Sequence, residues 1–172
     1  MNKIQNLQLQ SGRTKISPTK PVSISMADKC KCQLEVNIPP EKDINISSVL
    51  HAKNSEAYEL NYSVQHIHPN TSSHSEFRAV LEDQAIFRLQ GMIHVKMGAI
   101  NTKAYLLIKV LVLSSTTQVK ITPSLEIKEN DVKVSHGATI SQISQEDYFY
   151  LESRGLPTKL AKKMIVKGFL SQ

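Results

Sequence analysis

The side chains of this sequence that are best suited to metal chemistry are six histidines and two cysteines. His66 and His68 are separated by one residue, which on a strand places both imidazoles on the same face, and His74 follows shortly after them. Zinc and non-haem iron commonly need three or four ligands held in place by further contacts, so these three histidines are one hypothesis for a metal site. The other is that they are structural, because residues 69–71 have the Pro-Asn-Thr sequence typical of a turn.

The two cysteines, Cys30 and Cys32, are too close together in the sequence to crosslink a fold, so this is not a disulfide scaffold. A reducing compartment is the default expectation for such a chain. On a strand both thiols would point to one face, but an iron or zinc site needs about four ligands, and a partner chain would have to supply the rest. We interpret the pair as two small residues beside a flexible tail.

The residue patterns of common catalytic sites are missing from the sequence. It has no Gly-rich Walker loop, so it cannot hydrolyse ATP by that mechanism, and it has no Gly-x-Ser-x-Gly turn. The acidic pair Glu82-Asp83 falls in an apparent turn, and no Ser, His and Asp arrangement follows from the spacing. We therefore predict that the protein is not an enzyme.

The net charge of +6 is concentrated at the ends of the 172-residue chain, whose length suits one domain. Residues 1–31 have six basic side chains and one acidic side chain, and residues 1–22 are polar with two prolines, which predicts a flexible basic tail. No apolar run reaches the roughly 18 residues that cross a membrane, and no secretory signal is visible. We predict a cytoplasmic protein without membrane contact. The first 27 residues lack acidic side chains, so a plastid or other organelle is the alternative.

Short alternating patterns fill residues 23–142. Leu34 and Val36, for example, alternate with polar neighbours, as in a half-buried strand. Turn residues such as Asn70, Asp83 and Gly98 separate the segments. Many short, evenly spaced strands are typical of a sandwich, a barrel or a solenoid, and periodicity alone does not decide among them because no strict repeat is present.

The pattern changes near the C-terminal end. Residues 131–136 alternate like a strand, and this strand is predicted to end in a polar corner at residues 136–139. Ser144 and Asp147 form a capping-box pattern that predicts a helix from about residue 145, and Gly155 and Pro157 separate it from a second helix. We interpret the lysines of the second helix as a solvated face that binds no nucleic acid, because the helix lacks side chains that read base edges. They are Lys159, Lys162, Lys163 and Lys167.

Several motifs occur in a recognisable order. They are Pro69-Asn-Thr-Ser72, Phe77-Arg-Ala-Val-Leu81, Gly91-Met-Ile-His-Val95, Pro123-Ser-Leu-Glu-Ile127 and Ser135-His136-Gly137-Ala138-Thr139. This ordered set resembles the SufB/SufD family, the scaffold proteins of the SUF iron–sulfur cluster assembly system. The resemblance covers about residues 62–170, and the His-Gly-Ala form is similar to the SufD branch rather than to SufB.

The resemblance implies a fold and a role. The fold is a right-handed parallel β-helix over residues 23–142, after the tail at 1–22 and before a helical segment at 143–172. The role is that of a SufD-like, non-catalytic scaffold subunit, acting with a SufC-like ATPase and with a SufB-like subunit or as a homodimer. Family members are longer at both ends, so the alternatives are a β-solenoid interaction module or a degenerate relic with no role in cluster assembly.

The resemblance also implies site residues. His136 matches a histidine at the contact with SufB, where a nascent cluster forms; the alternative is a residue that caps the last coil through a hydrogen bond to the backbone. Val134 stands where many SufD relatives have cysteine, and Ser115–Gln118 has no sulfur where SufB has one. We therefore expect no tightly bound cofactor and only a transient iron–sulfur cluster in the complex.

The helical end is the expected contact for the SufC-like ATPase, because the family holds that ATPase through the region after the β-helix. The two helices have more apolar surface than they can bury against each other, so we expect part of it to cover the last coil and the rest to bind the partner. The residues concerned are Tyr148, Phe149, Leu151, Leu160, Met164, Ile165 and Phe169.

Overall fold

The computed structural model describes residues 4–27 and 29–171. Within these residues, eleven strands precede two helices. The strands are β1 (Gln5–Leu9), β2 (Gly12–Ile16), β3 (Val22–Met26), β4 (Lys31–Asn37), β5 (Asp43–Ala52), β6 (Ala57–His66), β7 (Ser72–Leu81), β8 (Ile86–Val95), β9 (Thr102–Val112), β10 (Gln118–Ile127) and β11 (Val132–Gln142), and the helices are α1 (Gln145–Glu152) and α2 (Thr158–Leu170).

The strands form two parallel sheets that the chain visits in turn. The odd sheet has the order β1-β3-β5-β7-β9-β11, and the even sheet has the order β2-β4-β6-β8-β10. Each strand pairs in parallel with the strand two places later in the chain, so each coil adds one strand to each sheet. The predicted parallel β-helix is therefore confirmed, and the sandwich and the barrel are not formed.

The interior of the β-helix follows from the two-residue period of its strands. In β6, alternate residues from Tyr58 to His66 are buried, while the residues between them are partly exposed. Because neighbouring coils are in register, inward side chains stack on one another, as Leu60 does on Leu89 and Leu89 on Ile121. Each fully buried leucine stabilises the fold by about 1.5–3 kcal/mol, so the stacked rows account for much of the stability of the solenoid.

Large side chains fill the space where the two sheets face each other. The rings of Tyr62 and Phe77 meet edge to face with centroids 4.8 Å apart, and the Tyr62 hydroxyl lies 2.6 Å from the Ser75 hydroxyl. At Gly91 a Cβ atom would lie 2.6 Å from Cδ2 of Leu106. A side chain at Gly91 would therefore force the opposite sheet to repack.

The turns between strands use residues that tolerate a left-handed backbone. Asn54, Asn70, Asp83 and Asn101 all have φ between 54° and 57°, a region where Asn and Asp are enriched. Equivalent turns stack on each other, and Asn101 Nδ2 donates to Asn70 Oδ1 at 2.8 Å. The turns predicted at Asn70 and Asp83 are confirmed.

The N-terminal part differs from the prediction of a tail at residues 1–22. Strands β1 and β2 lie within it, β1 pairs with β3, and Leu9 is buried in the core. The boundary predicted at residue 23 is therefore wrong for residues 5–16, and residues 1–3 lie outside the described residues. Cys30 and Cys32 are consequently buried inside a coil, with their sulfur atoms in contact, rather than beside a tail.

The C-terminal helices begin where the sequence predicts. Ser144 accepts a hydrogen bond from the backbone N–H of Asp147, and the Asp147 carboxylate accepts one from the backbone N–H of Ser144, which is the expected capping box. Gly155, with φ of 84°, lies in the turn before α2. Neither helix in the described part of the chain is long and apolar enough to span a membrane.

Candidate functional site

His136 lies in the middle of β11, because this strand continues to Gln142 instead of ending in the predicted corner. It is paired with Leu106 of β9, and the side chains of both face inward. Since β11 is the last strand of the odd sheet, no further coil covers His136, and it is exposed. Among the described residues its imidazole has no hydrogen-bond partner, so the backbone hydrogen bond expected of a capping residue is not formed there.

The inward side chains of β10 and β11 form an uncovered surface that we call the open end. It is largely apolar apart from His136 and Gln142, and Ile127 and Ile140 are among the large hydrophobic residues that remain exposed. Its members are Val119, Ile121, Pro123, Leu125, Ile127, Val132, Val134, His136, Ala138, Ile140 and Gln142. An exposed apolar surface of this kind, next to an unpaired strand edge, is typical of an interaction site.

The two strands at the open end differ in their capacity to pair with another chain. β10 contains Pro123, which lacks an N–H and is compatible with an edge strand. β11 has eleven residues and no proline, so its outer edge can form a continuous ladder with an added strand. Neither helix packs extensively along β11. The β11 edge is therefore the better docking edge.

No thiolate lies close to His136 in the described residues. Val134 occupies the inward position two residues before it, and Ser115–Gln118 forms the connection into β10. Cys32 lies in β4, three strands from β10 along the even sheet, which corresponds to about 14 Å at the usual strand spacing. The two cysteines, Cys30 and Cys32, thus lie in another part of the solenoid from His136.

The three histidines of the hypothetical metal site are not brought together. His66 points into the core, where Nδ1 lies 2.8 Å from the Thr71 hydroxyl and Nε2 lies 2.8 Å from the Ser73 hydroxyl. His74 lies on the outer face of the odd sheet against the ring of Tyr105, and His68 lies in the turn after β6. Within residues 4–27 and 29–171, no group of three or more His, Cys, Asp or Glu side chains could hold a metal ion.

Because His66 is buried, we expect the free energy of unfolding to depend on pH. Burial lowers the pKa of His66 from 6.5 to about 4. Between these values the unfolded chain binds a proton that the folded chain does not, so stability falls as the pH drops from about 6.5 to about 4, by about 3 kcal/mol. We expect urea unfolding at pH 7 and pH 4.5 to show this loss, and His66→Gln to remove most of it.

His74→Gln is the matched control for this measurement, because His74 is exposed and has a partner ring rather than a buried hydroxyl pair. It should keep the pH dependence of the parent chain. If His66→Gln and the parent chain lose equal stability between the two pH values, then another group is responsible.

The helix α2 does not cover the open end, which corrects one expectation. It packs on the outer face of the odd sheet, where Val166 joins Val80 and Leu111 in a second small core. Arg78 Nη1 donates to the carbonyl oxygen of Phe169 at 3.1 Å. The physical reason is that Val80 and Leu111, which are paired across β7 and β9, give this outer face an apolar patch that matches the helix.

The predicted partner-binding residues divide into two groups. Phe149, Leu160 and Met164 are exposed. Ile165 and Phe169 pack against the second core, and Tyr148 and Leu151 are partly buried. The docking role of all seven stays a prediction, and the exposed group offers a partner the most accessible side chains.

Tyr150 is an exposed aromatic residue that sequence reasoning missed. It lies beside Phe149 in α1, and the guanidinium of Arg154 stacks over its ring at 4.8 Å. The signal in the sequence was the aromatic run Tyr148-Phe149-Tyr150, which is too long for one face of a short helix to bury. We include Tyr150 with Phe149, Leu160 and Met164 in what we call the helical patch.

Comparison with known proteins gives the family. The family model described as "SUF system FeS cluster assembly, SufBD core domain" matches residues 18–169. The chain is 30% identical over 125 residues to an iron-sulfur cluster assembly SufBD family protein of Mycobacterium tuberculosis, covering 73% of this chain and 15% of that protein. It is 35% identical over 95 residues to the iron-sulfur cluster assembly protein SufD of Escherichia coli, covering 55% of this chain and 22% of that protein.

A plant relative shows a similar relationship. The protein ABCI7, chloroplastic, of Arabidopsis thaliana is 30% identical over 122 residues, which cover 69% of this chain and 25% of that protein. The chain thus spans no more than a quarter of the length of these three relatives. The model of the SufBD core domain nevertheless matches residues 18–169, which include most of the solenoid and nearly all of both helices. The chain therefore belongs to the SufBD family of the SUF iron–sulfur cluster assembly system.

Proposed function

We propose that this protein is a SufD-like, non-catalytic scaffold subunit that assembles with a SufB-like subunit and a SufC-like ATPase. The observation that best supports the proposal is the open end, where an unpaired strand edge, an apolar interior and His136 occur together. An uncovered solenoid end exposes an unpaired strand edge and apolar side chains, which favours binding of a protein that caps it. A partner subunit with a similar edge provides such a cap.

The SufB-like subunit is proposed to bind at β11. Strand addition along its eleven residues would satisfy the free backbone groups of the edge, and the partner would cover Ile140 and the other apolar side chains of the open end. A second copy of this chain could form the same contact, which is the homodimer alternative. Pairing of either kind would enclose His136 at the interface.

His136 is proposed to serve as one ligand of a nascent cluster at that interface. A neutral imidazole binds iron, and an exposed ring without a hydrogen-bond partner among the described residues can reorient toward a ligand offered by the other subunit. The partner must then supply the thiolates, because the described residues around His136 supply none. The cluster is a product in transit, and this chain holds it only jointly.

This proposal predicts that the isolated chain retains no iron–sulfur cluster. A stable cluster needs about four thiolate or imidazole ligands, and Cys30 and Cys32 are buried away from His136. After anaerobic incubation with ferrous iron and sulfide, followed by desalting, we expect less than about 0.1 iron per chain. The ternary complex with the SufB-like and SufC-like partners should retain iron and sulfide.

The control is the ternary complex made with His136→Ala, which should assemble normally but retain less iron and sulfide. Stoichiometric iron and sulfide on the isolated chain would contradict the proposal. Failure of the parent chain to co-purify with either partner would favour the alternative, an interaction module without a role in cluster assembly.

A further inference from the structure

A second surface, distinct from the open end and the helical patch, lies between α2 and the outer face of the odd sheet. It is a solvent-open groove of about 670 Å³, within the size range of ligand sites. We call it the basic groove. Five of its lining side chains are lysines, namely Lys53, Lys159, Lys162, Lys163 and Lys167.

The charges of the basic groove are poorly balanced. Its one lining carboxylate, Glu82, lies 2.9 Å from His51 Nε2, 3.6 Å from Lys162 Nζ and 4.0 Å from Lys53 Nζ. Within the described residues, Lys159, Lys163 and Lys167 form no ion pair. One carboxylate is thus shared by one histidine and two lysines, and the other three lysines are left for an external anion.

The wall of the groove is not only charged. Val166 and Leu170 also line it, so a ligand that fills the groove must have apolar groups as well as negative charges. We infer that the basic groove binds an acidic, partly apolar peptide segment of a partner protein. This inference stands apart from the proposed role in cluster assembly, because it involves neither His136 nor the open end.

Other polyanions fit the groove less well. Nucleic acid is expected to use aromatic or arginine side chains for base stacking, and the lining of the groove has neither. A membrane would need an exposed apolar face of α2 for insertion, whereas Val166 and Leu170 lie at the wall of a concave groove. A carboxylate-rich peptide can place side chains between the lysines and apolar groups on the wall.

The test is fluorescence anisotropy with the full chain and a short labelled peptide in which glutamates alternate with leucines. Replacing its glutamates with glutamine, or its leucines with serine, should weaken binding in each case. The variant Lys159→Glu/Lys163→Glu should weaken binding by at least about tenfold, because both lysines are exposed and unpaired among the described residues. Circular dichroism should show that this variant remains folded.

The matched control is Lys120→Glu/Lys133→Glu, which changes the net charge equally on two other exposed surfaces. It should alter binding by less than about twofold. Equal losses in the two double variants would overturn the inference, because binding would then reflect net charge alone. Tighter binding of a single-stranded RNA or of phosphatidylserine vesicles, lost in the groove variant, would also overturn the choice of a peptide.

Discussion

Replacing Ile140 with aspartate is expected to weaken the complex with a SufB-like subunit by about thirtyfold to several hundredfold, the effect of losing a large apolar residue that the interface buries. Ile140 lies on the inward face of β11 and is 51% exposed in the isolated chain. A partner that pairs with the β11 edge must cover this side chain. The variant would then bury an unpaired carboxylate at the interface, whereas the isolated chain would leave it in water.

Ile67→Asp is the control for this experiment, because Ile67 is 45% exposed but lies in the turn after β6, two coils before the open end. Its complex should have an affinity within about twofold of the parent chain. Dissociation constants from surface plasmon resonance or calorimetry decide the outcome. Equal affinities of Ile140→Asp and the parent chain, with both folded, would mean that the SufB-like subunit binds elsewhere.

The same pair of variants distinguishes the heteromeric complex from a homodimer. If β11 pairs with a second copy of this chain, sedimentation of the isolated parent protein should show a dimer, and Ile140→Asp should shift it to a monomer. If β11 awaits a different subunit, the isolated parent should sediment as a monomer at the same concentration. Both partners would form the same backbone hydrogen bonds with the edge of β11, so the measured molecular mass is what distinguishes a homodimer from a heteromeric complex.

The strands and turns could be predicted from the sequence because the strands alternate cleanly and the turns contain Asn and Asp, whereas the choice of a solenoid followed only from the family resemblance. The first coil was missed because the apolar positions of β1 and β2 are few. Leu7, Leu9 and Ile16 lie among polar residues, and Pro18 and Pro21 follow directly, which resembles a disordered segment. Their burial depends on pairing with β3 and β4, and such long-range pairing is not visible in local periodicity.

The position of His136 shows a similar limit. Gly137 indicated a turn in the sequence, but it lies on the outer face within β11, where a Cβ atom would be 3.3 Å from both the Tyr105 hydroxyl and Leu107. The glycine therefore allows a close approach on this face. The inward orientation of His136 did follow from alternation with Lys133 and Ser135, but its exposure required knowledge that β11 ends the sheet.

The location of α2 could not be predicted from the helix alone. Its apolar stripe was visible in the sequence, but the surface that receives it consists of Val80 and Leu111, which become neighbours only through the register of β7 and β9. The same docking creates the basic groove, because it places the lysines of α2 opposite His51 and Glu82 of the solenoid. Lysines that indicated a solvated face thus line a concave surface.

Alanine substitution at two phenylalanines should separate folding from partner binding. Phe77 is 2% exposed, contacts the Tyr62 ring and lies between the two sheets, so Phe77→Ala should lower the free energy of unfolding by about 3–5 kcal/mol. Phe149 is 74% exposed on α1, so Phe149→Ala should change it by less than about 0.5 kcal/mol. Urea unfolding followed by circular dichroism measures both.

For binding to the SufC-like ATPase, we expect the reverse: Phe149→Ala should have the larger effect on affinity and Phe77→Ala the smaller one. Phe149 belongs to the helical patch, so its removal should weaken docking by about tenfold or more while the chain stays folded. At a temperature where Phe77→Ala is still folded, its affinity should equal that of the parent chain, because Phe77 lies inside the solenoid. Phe149→Ala binding as tightly as the parent would remove α1 from the docking surface. Met164→Ala would then test whether α2 alone contacts the ATPase, since Met164 is exposed and outside the second core.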